Sequence, residues 1–144
     1  MKLASKIKTS FFLWCAGLPM SGRARPFFVR LAGVKIGKNC FLGRGITFDS
    51  LCPERIRIGN HVHITTGCIL LAHYLDTSVP EVVWKYGDIE ICDDVFVGAG
   101  TVFAKPCKVG ENAIVGAGSV LTKDVPQGEI WAGNPAGFIK KRAV

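Results

Sequence analysis

The chain has 144 residues, of which 49% are hydrophobic and 20% charged, with 17 glycines and a net charge of +7. That length and apolar content suit one domain with its own core, and they exclude a disordered tail, a collagen-like chain and a small disulfide knot. Glycine at about 12% against a usual ~7% points to many regularly placed tight turns.

The positive charge belongs to the N-terminal third. Residues 1–48 hold Lys2, Lys6, Lys8, Arg23, Arg25, Arg30, Lys35, Lys38 and Arg44, and the first acid is Asp49. The remaining chain carries nine basic and eleven acidic residues, a net of −2. Such a block reads either as a nucleic-acid footprint or as a contact with an anionic membrane. Apolar and aromatic residues interleave with the basic ones here, which fits a membrane surface, and no nucleic-acid partner is expected. The apolar run Phe11–Met20 is ten residues long, whereas a bilayer span needs ~20. Ser21-Gly22-Arg23 offers no small-x-small cleavage site. Residues 1–32 are therefore expected to form a short amphipathic segment packed on the domain or on a membrane. The corresponding localisation is cytoplasmic, with peripheral contact at the inner membrane face through residues 1–30. Cys15, Cys40, Cys52, Cys68, Cys92 and Cys107 show neither a CxxC pair nor zinc-finger spacing, so they read as buried thiols in a reducing compartment.

A period of six starts beyond residue 33. Its first positions are Ile36, Leu42 and Phe48, then Ile58, Ile64 and Leu70. After a gap they continue as Ile91, Val97, Phe103, Val109, Val115 and Leu121. At 49% hydrophobic content, the last six would all be apolar by chance in roughly one case in a hundred. The fifth positions add a second constraint, since Val95, Thr101, Cys107, Ala113, Ser119 and Val125 are all small or β-branched. The second positions hold Gly37, Gly43, Asp49, Gly59, Cys92, Gly98, Ala104, Gly110, Gly116 and Thr122. A helix cannot keep a strict period of six, because 3.6 does not divide it. A sandwich of short strands would not hold one phase. A short strand plus a turn, repeated three times per triangular coil of about 18 residues, does. Positions one and five then point inward, and the stacked apolar residues fill the axis. The step from Phe48 to Ile58 contains Pro53 and implies a small corner insertion. The step from Leu70 to Ile91 implies a protruding loop at about residues 74–87, with Pro80, Trp84 and Gly87 in it.

Ile36-Gly37-Lys38-Asn39-Cys40, Val109-Gly110-Glu111-Asn112-Ala113 and Val115-Gly116-Ala117-Gly118-Ser119 resemble the [LIV]-G-x-x-[STAV]-x pattern of the hexapeptide-repeat acyltransferases. The tail Trp131-Ala132-Gly133-Asn134-Pro135-Ala136, followed by Ile139-Lys140-Lys141-Arg142, is similar to that family's closing signature. The resemblance covers residues 33–142 and is greatest to sugar O-acetyltransferases of the maltose, galactoside and capsular polysaccharide type. It implies an all-β fold: a left-handed parallel β-helix with a short N-terminal basic and apolar segment (1–32), a body over 33–130 and a coenzyme A-contacting tail over 131–144. It also implies a homotrimer, acetyl-CoA as co-substrate, a glycan acceptor and active sites between neighbouring prisms. Other acceptors, such as a nucleotide-linked amino sugar or an antibiotic, are the same-fold alternatives. A non-catalytic β-helix scaffold is the alternative from another class.

Acyl transfer to a hydroxyl needs a base, a donor for the developing oxyanion and two substrates held together. His73 stands where the coil opens into the loop, a place where one ring nitrogen is held and the other exposed. It also matches the family's catalytic histidine. Its orienting partner is expected to be a backbone carbonyl, with Asp76 and Glu81 as side-chain candidates. Asp76 is also read as a loop acid that contacts substrate. His61 and His63 alternate on one short strand and face outward, and His63 is taken to line the acceptor cleft. By resemblance, Ala99, Ala117, Thr122 and Lys123 fall at coenzyme A contacts, Lys140 at a basic position that meets its phosphates, and Phe96 at a wall of the acceptor or pantetheine channel. A second basic position of the galactoside enzymes is Gly137 here, with Lys141 or Arg142 to compensate. The γ-class carbonic anhydrases share the fold and bind zinc with three histidines. Their order is a single ligand followed by a close pair, the reverse of His61, His63 and His73, so no metal is expected. Cys40, Cys68 and Cys107 take inward fifth positions and look structural rather than nucleophilic.

Overall fold

Each hexad places one inward apolar side chain on a two- or three-residue strand and one small inward residue in the turn just before the next, units too short to stand alone, so stability comes from stacking. The computed structural model describes residues 3–143. Three parallel faces result. The first holds Lys35–Ile36, Ile56–Ile58, Ile89–Ile91 and Lys108–Val109. The second holds Phe41–Leu42, His63–Ile64, Phe96–Val97, Ile114–Val115 and Glu129–Gly133, and is closed by the antiparallel strand Ala136–Lys141. The third holds Thr47–Phe48, Ile69–Leu70, Val102–Phe103 and Val120–Leu121. Register follows the hexad phase: Ile36, Ile58, Ile91 and Val109 stack, as do Leu42, Ile64, Val97 and Val115, and Phe48, Leu70, Phe103 and Leu121. These first-position residues are all buried, and so are the fifth positions from Val95 to Val125.

The three corners differ. Asn39, His61, Asp94 and Asn112 stack at the corner between faces one and two, with φ between 54° and 59°. Asn and Asp tolerate this left-handed region better than most residues. Six residues further on, Gly45, Gly67, Gly100 and Gly118 take the same region between faces two and three. Coils approach closely there: a Cβ on Gly98 would lie 2.4 Å from the Ala117 nitrogen. The third corner, between faces three and one, is where the chain leaves the coil. It does so through the short 3-10 turn Pro53–Arg55 and through the excursion after Leu70. His61 thus lies in a corner, and only His63 is on the strand.

Two expectations are corrected. The fold is not all-β, because residues 1–32 contain helix α1 (Leu3–Gly17) and helix α2 (Arg25–Leu31). The hexad phase is absent there, and no Gly or Pro interrupts residues 3–16, so the stretch is free to turn helical. Gly17 and Pro19 end α1, and Pro26 stands in the first turn of α2, where its missing N–H costs nothing. Arg25 locks both helices to the coil: its Nε donates to the Ala16 carbonyl at 3.0 Å and its Nη1 to the Leu42 carbonyl at 3.1 Å. The protruding loop, likewise, is a β-hairpin in which His73–Leu75 pairs antiparallel with Trp84–Tyr86. The Gly87 N–H closes its base on the Ala72 carbonyl at 2.9 Å.

Candidate active site

The site forms at the third corner, where two departures from the repeat meet. Asp49 follows the inward Phe48, at a hexad position that holds Gly in neighbouring repeats, and its side chain is fully buried. Burial alone would raise its pKa, but hydrogen bonds outweigh that penalty and hold the carboxyl below its ordinary value. His73, the Leu51 amide and the Cys52 thiol are the main donors. Oδ1 accepts from the Leu51 N–H at 2.9 Å. Oδ2 accepts from the Ala72 and His73 N–H groups at 2.9 and 3.1 Å and lies 3.2 Å from the Cys52 sulfur. The same oxygen meets His73 Nδ1 at 2.5 Å. An ionised carboxylate only accepts, so Nδ1 carries the proton and Nε2 is left as the basic nitrogen. The imidazole is partly exposed. It pairs across the hairpin with Tyr86, and the Trp84 ring stands edge-on at 5.5 Å with Tyr86 at 6.4 Å.

The orienting partner of His73 is therefore Asp49, not a backbone carbonyl, Asp76 or Glu81. Asp76 is engaged elsewhere, with Lys85 at 2.6 Å and the Ser78 hydroxyl at 2.6 Å, an arrangement that holds its carboxyl well below the usual range. It braces the hairpin beside the histidine. Asp49, Cys52, Trp84 and Tyr86 join the site only in the structure. One signal was present for Asp49: an acid at a hexad position otherwise favouring Gly. No periodic signal marks the hairpin aromatics.

Asp49, Cys52 and His73 bring potential metal ligands within 4.8 Å of one another. The chemistry of this set is closed rather than open. Burial, then the hydrogen bond to Asp49, pushes the Cys52 thiol up to about 12, and Asp49 Oδ2 already faces four donors. A thiol held protonated is also no nucleophile. His61, His63 and His73 do not form a ligand set among the described residues.

The remaining candidates occupy two further places. On face two, Phe41, His63 and Phe96 share one outward register, with the Phe41 and His63 rings 5.8 Å apart. Beside them, a cavity of about 640 Å³ is lined by Arg23, Phe27, Arg30, Lys38, Phe41 and His63. Faces two and three belong to different sides of the prism, so one protomer does not bring this group to His73. Ala99 and Ala117 stack at the corner between those faces, the Gly118 N–H donating to the Ala99 carbonyl at 2.7 Å. Thr122 and Lys123 are exposed at the third corner, and the Lys123 ammonium lies 5.3 Å from the Trp131 ring centre. Leu70 and Leu121 are two rungs apart, so the coil ends at Leu70 and at Thr122 are separated by about 10 Å along the axis at ordinary strand spacing. Lys140 is exposed on the closing strand. Arg142 is tied to the Asp94 and Asn112 carbonyls at 3.3 and 3.1 Å. A Cβ on Gly137 would meet no atom within 4 Å.

A triangular parallel coil of stacked six-residue units is the architecture of hexapeptide-repeat proteins as a class. The comparisons agree. Residues 88–123 match the model of the bacterial transferase hexapeptide (six repeats), and residues 33–72 that of the hexapeptide repeat of succinyl-transferase. Protein CapG of Staphylococcus aureus is 40% identical over 119 residues, 78% of this chain and 68% of CapG. YvoF of Bacillus subtilis is 32% identical over 121 residues, 84% of this chain and 68% of YvoF. The chain belongs to the hexapeptide-repeat acyltransferase family.

Solved structures share the fold, which makes the coil a left-handed β-helix. A hexapeptide-repeat acetyltransferase of Vibrio cholerae superposes with a TM-score of 0.81 at 19% identity, covering 98% of this chain and 92% of that one. A galactoside acetyltransferase in complex with coenzyme A gives 0.71 at 20% identity, covering 97% and 82%. The polySia-specific acetyltransferase NeuO gives 0.64 at 31% identity, covering 77% and 53%.

Proposed function

We propose that the chain is an acetyl-CoA-dependent O-acetyltransferase that modifies a hydroxyl of a sugar or polysaccharide precursor. The observation that carries this reading is His73 Nδ1 on the buried Asp49 carboxylate, which leaves Nε2 of the partly exposed ring as the nitrogen able to accept a proton. The acceptor hydroxyl gives its proton to Nε2 as its oxygen attacks the thioester carbonyl of acetyl-CoA. Asp49 stabilises the imidazolium that forms. Collapse of the tetrahedral intermediate breaks the carbon–sulfur bond, and the departing thiolate recovers the proton from His73. No metal enters the scheme, and the protonated Cys52 thiol leaves direct transfer in a ternary complex rather than a covalent enzyme intermediate.

Trp84 and Tyr86 beside His73 offer the flat apolar faces on which a pyranose ring packs. NeuO and the galactoside enzyme, both named for carbohydrate acceptors, support that choice. Acetyl-CoA is assigned to the side of the prism carrying Ala99, Ala117, Thr122 and Lys123, with Lys140 toward its phosphates. A homotrimer completes the site, setting His63 and Phe96 of one prism, as an acceptor wall, opposite His73 and the Asp76-braced hairpin of the next. The exposed Leu75, Val82, Trp84 and Tyr86 on that hairpin fit a position between prisms. Release of free coenzyme A thiol in the presence of a panel of glycans tests the reading. Turnover that requires both acetyl-CoA and a hydroxyl-bearing glycan supports it, and turnover only with amine acceptors overturns it in favour of N-acetyl transfer.

A further inference from the structure

Helix α1 is apolar on two sides. Its inner side meets α2 and the coil: Thr9, Cys15 and Ala16 are buried, Leu13 packs against the core, and the Thr9 hydroxyl donates to the Ala32 carbonyl at 3.0 Å. Its outer side holds Leu3, Ile7, Phe11 and Trp14, between 53% and 75% exposed, and Leu18 continues the row just past the helix end. At about 100° per residue the four helical residues fall within an arc of about 80°. The row is thus a single stripe on the face opposite the buried one. Phe11 and Trp14 lie together in it, ring centres 6.3 Å apart.

The surroundings of the stripe select its partner. Lys6 and Lys8 are both exposed. At the same helical step each falls about 100° from the centre of the stripe, one on either side. Long cationic side chains flanking an apolar stripe place their stems along the apolar surface and their ammonium groups among headgroup phosphates. No acid occurs before Asp49 to oppose that contact. Trp14 supplies an amphipathic ring of the kind enriched at the headgroup level. No helix among the described residues is long and apolar enough to cross a membrane, so the helix would lie in the surface plane.

We propose that the outer face of α1 is an anionic-lipid docking surface, with Leu3, Ile7, Phe11, Trp14 and Leu18 as the inserted row and Lys6 and Lys8 as its flanking cations. The Arg25 clamp between α1, α2 and the coil fixes how the body of the protein sits over the lipid. This surface is separate from the acetyl-transfer site, and its test does not depend on that activity.

The test is co-sedimentation of the full chain with phosphatidylcholine vesicles and with vesicles containing phosphatidylglycerol. Phe11→Ser/Trp14→Ser and Lys6→Glu/Lys8→Glu are the variants, and circular dichroism checks the fold of each. The wild type is expected to bind the phosphatidylglycerol vesicles, with affinity falling as salt is raised. Each double variant is expected to lose about tenfold or more while remaining folded. Brominated lipid should quench wild-type fluorescence, and Trp14→Phe should remove that quenching. Three outcomes overturn the proposal: no binding of the folded wild type to phosphatidylglycerol vesicles, binding that both double variants retain, or a change of oligomeric state in Phe11→Ser/Trp14→Ser without loss of vesicle binding. The last would assign the stripe to a second copy of the chain.

Discussion

Asp49 and His73 are 24 residues apart in sequence, and Asp49 Oδ2 meets His73 Nδ1 at 2.5 Å. The parallel register that stacks Phe48 under Leu70 makes the pair possible, because it sets the two chain exits from face three one above the other. The same carboxylate accepts the backbone N–H groups of Ala72 and His73, so it fixes both the ring and the strand that carries it. Asp49→Asn keeps the shape but removes the charge that, in the proposed mechanism, stabilises the imidazolium. We expect it to lower kcat by roughly 10²–10⁴ while the KM for acetyl-CoA stays unchanged. A merely structural role would instead move kcat and the KM for acetyl-CoA together.

The same carboxylate makes acid stability depend on Asp49. Its pKa is lower folded than unfolded, so the unfolded chain takes up the proton first as pH falls. The stabilisation is complete above the unfolded carboxylate range, near pH 4, and is lost as pH drops through the folded value. Thermal melts across that window should show a steeper acid loss for wild type than for Asp49→Asn.

Thiol chemistry reports on the core. Cys52 and Cys107 are both pushed up to about 12, Cys107 by burial first and the Asp124 charge second. In the folded protein at mildly alkaline pH these two should be alkylated by iodoacetamide far more slowly than in urea. Rapid modification of Cys52 in the native state would contradict the hydrogen-bonded thiol described above.

Coil spacing has its own probe. Gly98→Ala would place a methyl group 2.4 Å from the Ala117 nitrogen, where backbone rather than a flexible side chain must yield. Overpacking of this kind costs about 1–3 kcal/mol, and calorimetry should show a lowered Tm. Gly137→Ala, with no atom within 4 Å of the new carbon, is the matched control and should change little.

The coil was legible in the sequence because a period of six leaves its mark at every rung. The inward columns, the insertion near Pro53 and the excursion after Leu70 all follow from that phase. His73 stands out in the sequence because it lies where the phase breaks. The two helices were not, since a period-of-six template says nothing about Leu3–Leu31. The hairpin leaves no mark in the sequence, because three-residue strands such as Trp84–Tyr86 are shorter than any alternation that can be recognised. The sequence does not mark Asp49 as orienting partner, because its proximity to His73 is a property of stacking, and Asp76 and Glu81 stand nearer along the chain. Asp76 was taken by Lys85 across a turn that sequence alone did not pair.

In the proposed mechanism His73, held by Asp49, is the base for acetyl transfer. The most direct measurement compares wild type with His73→Ala for acetyl-CoA binding by calorimetry and for glycan-dependent release of coenzyme A on the same samples. Matching acetyl-CoA affinities are expected, with a rate at least about a hundredfold lower in the variant. Equal rates, or a wild type that binds no acetyl-CoA, would contradict it.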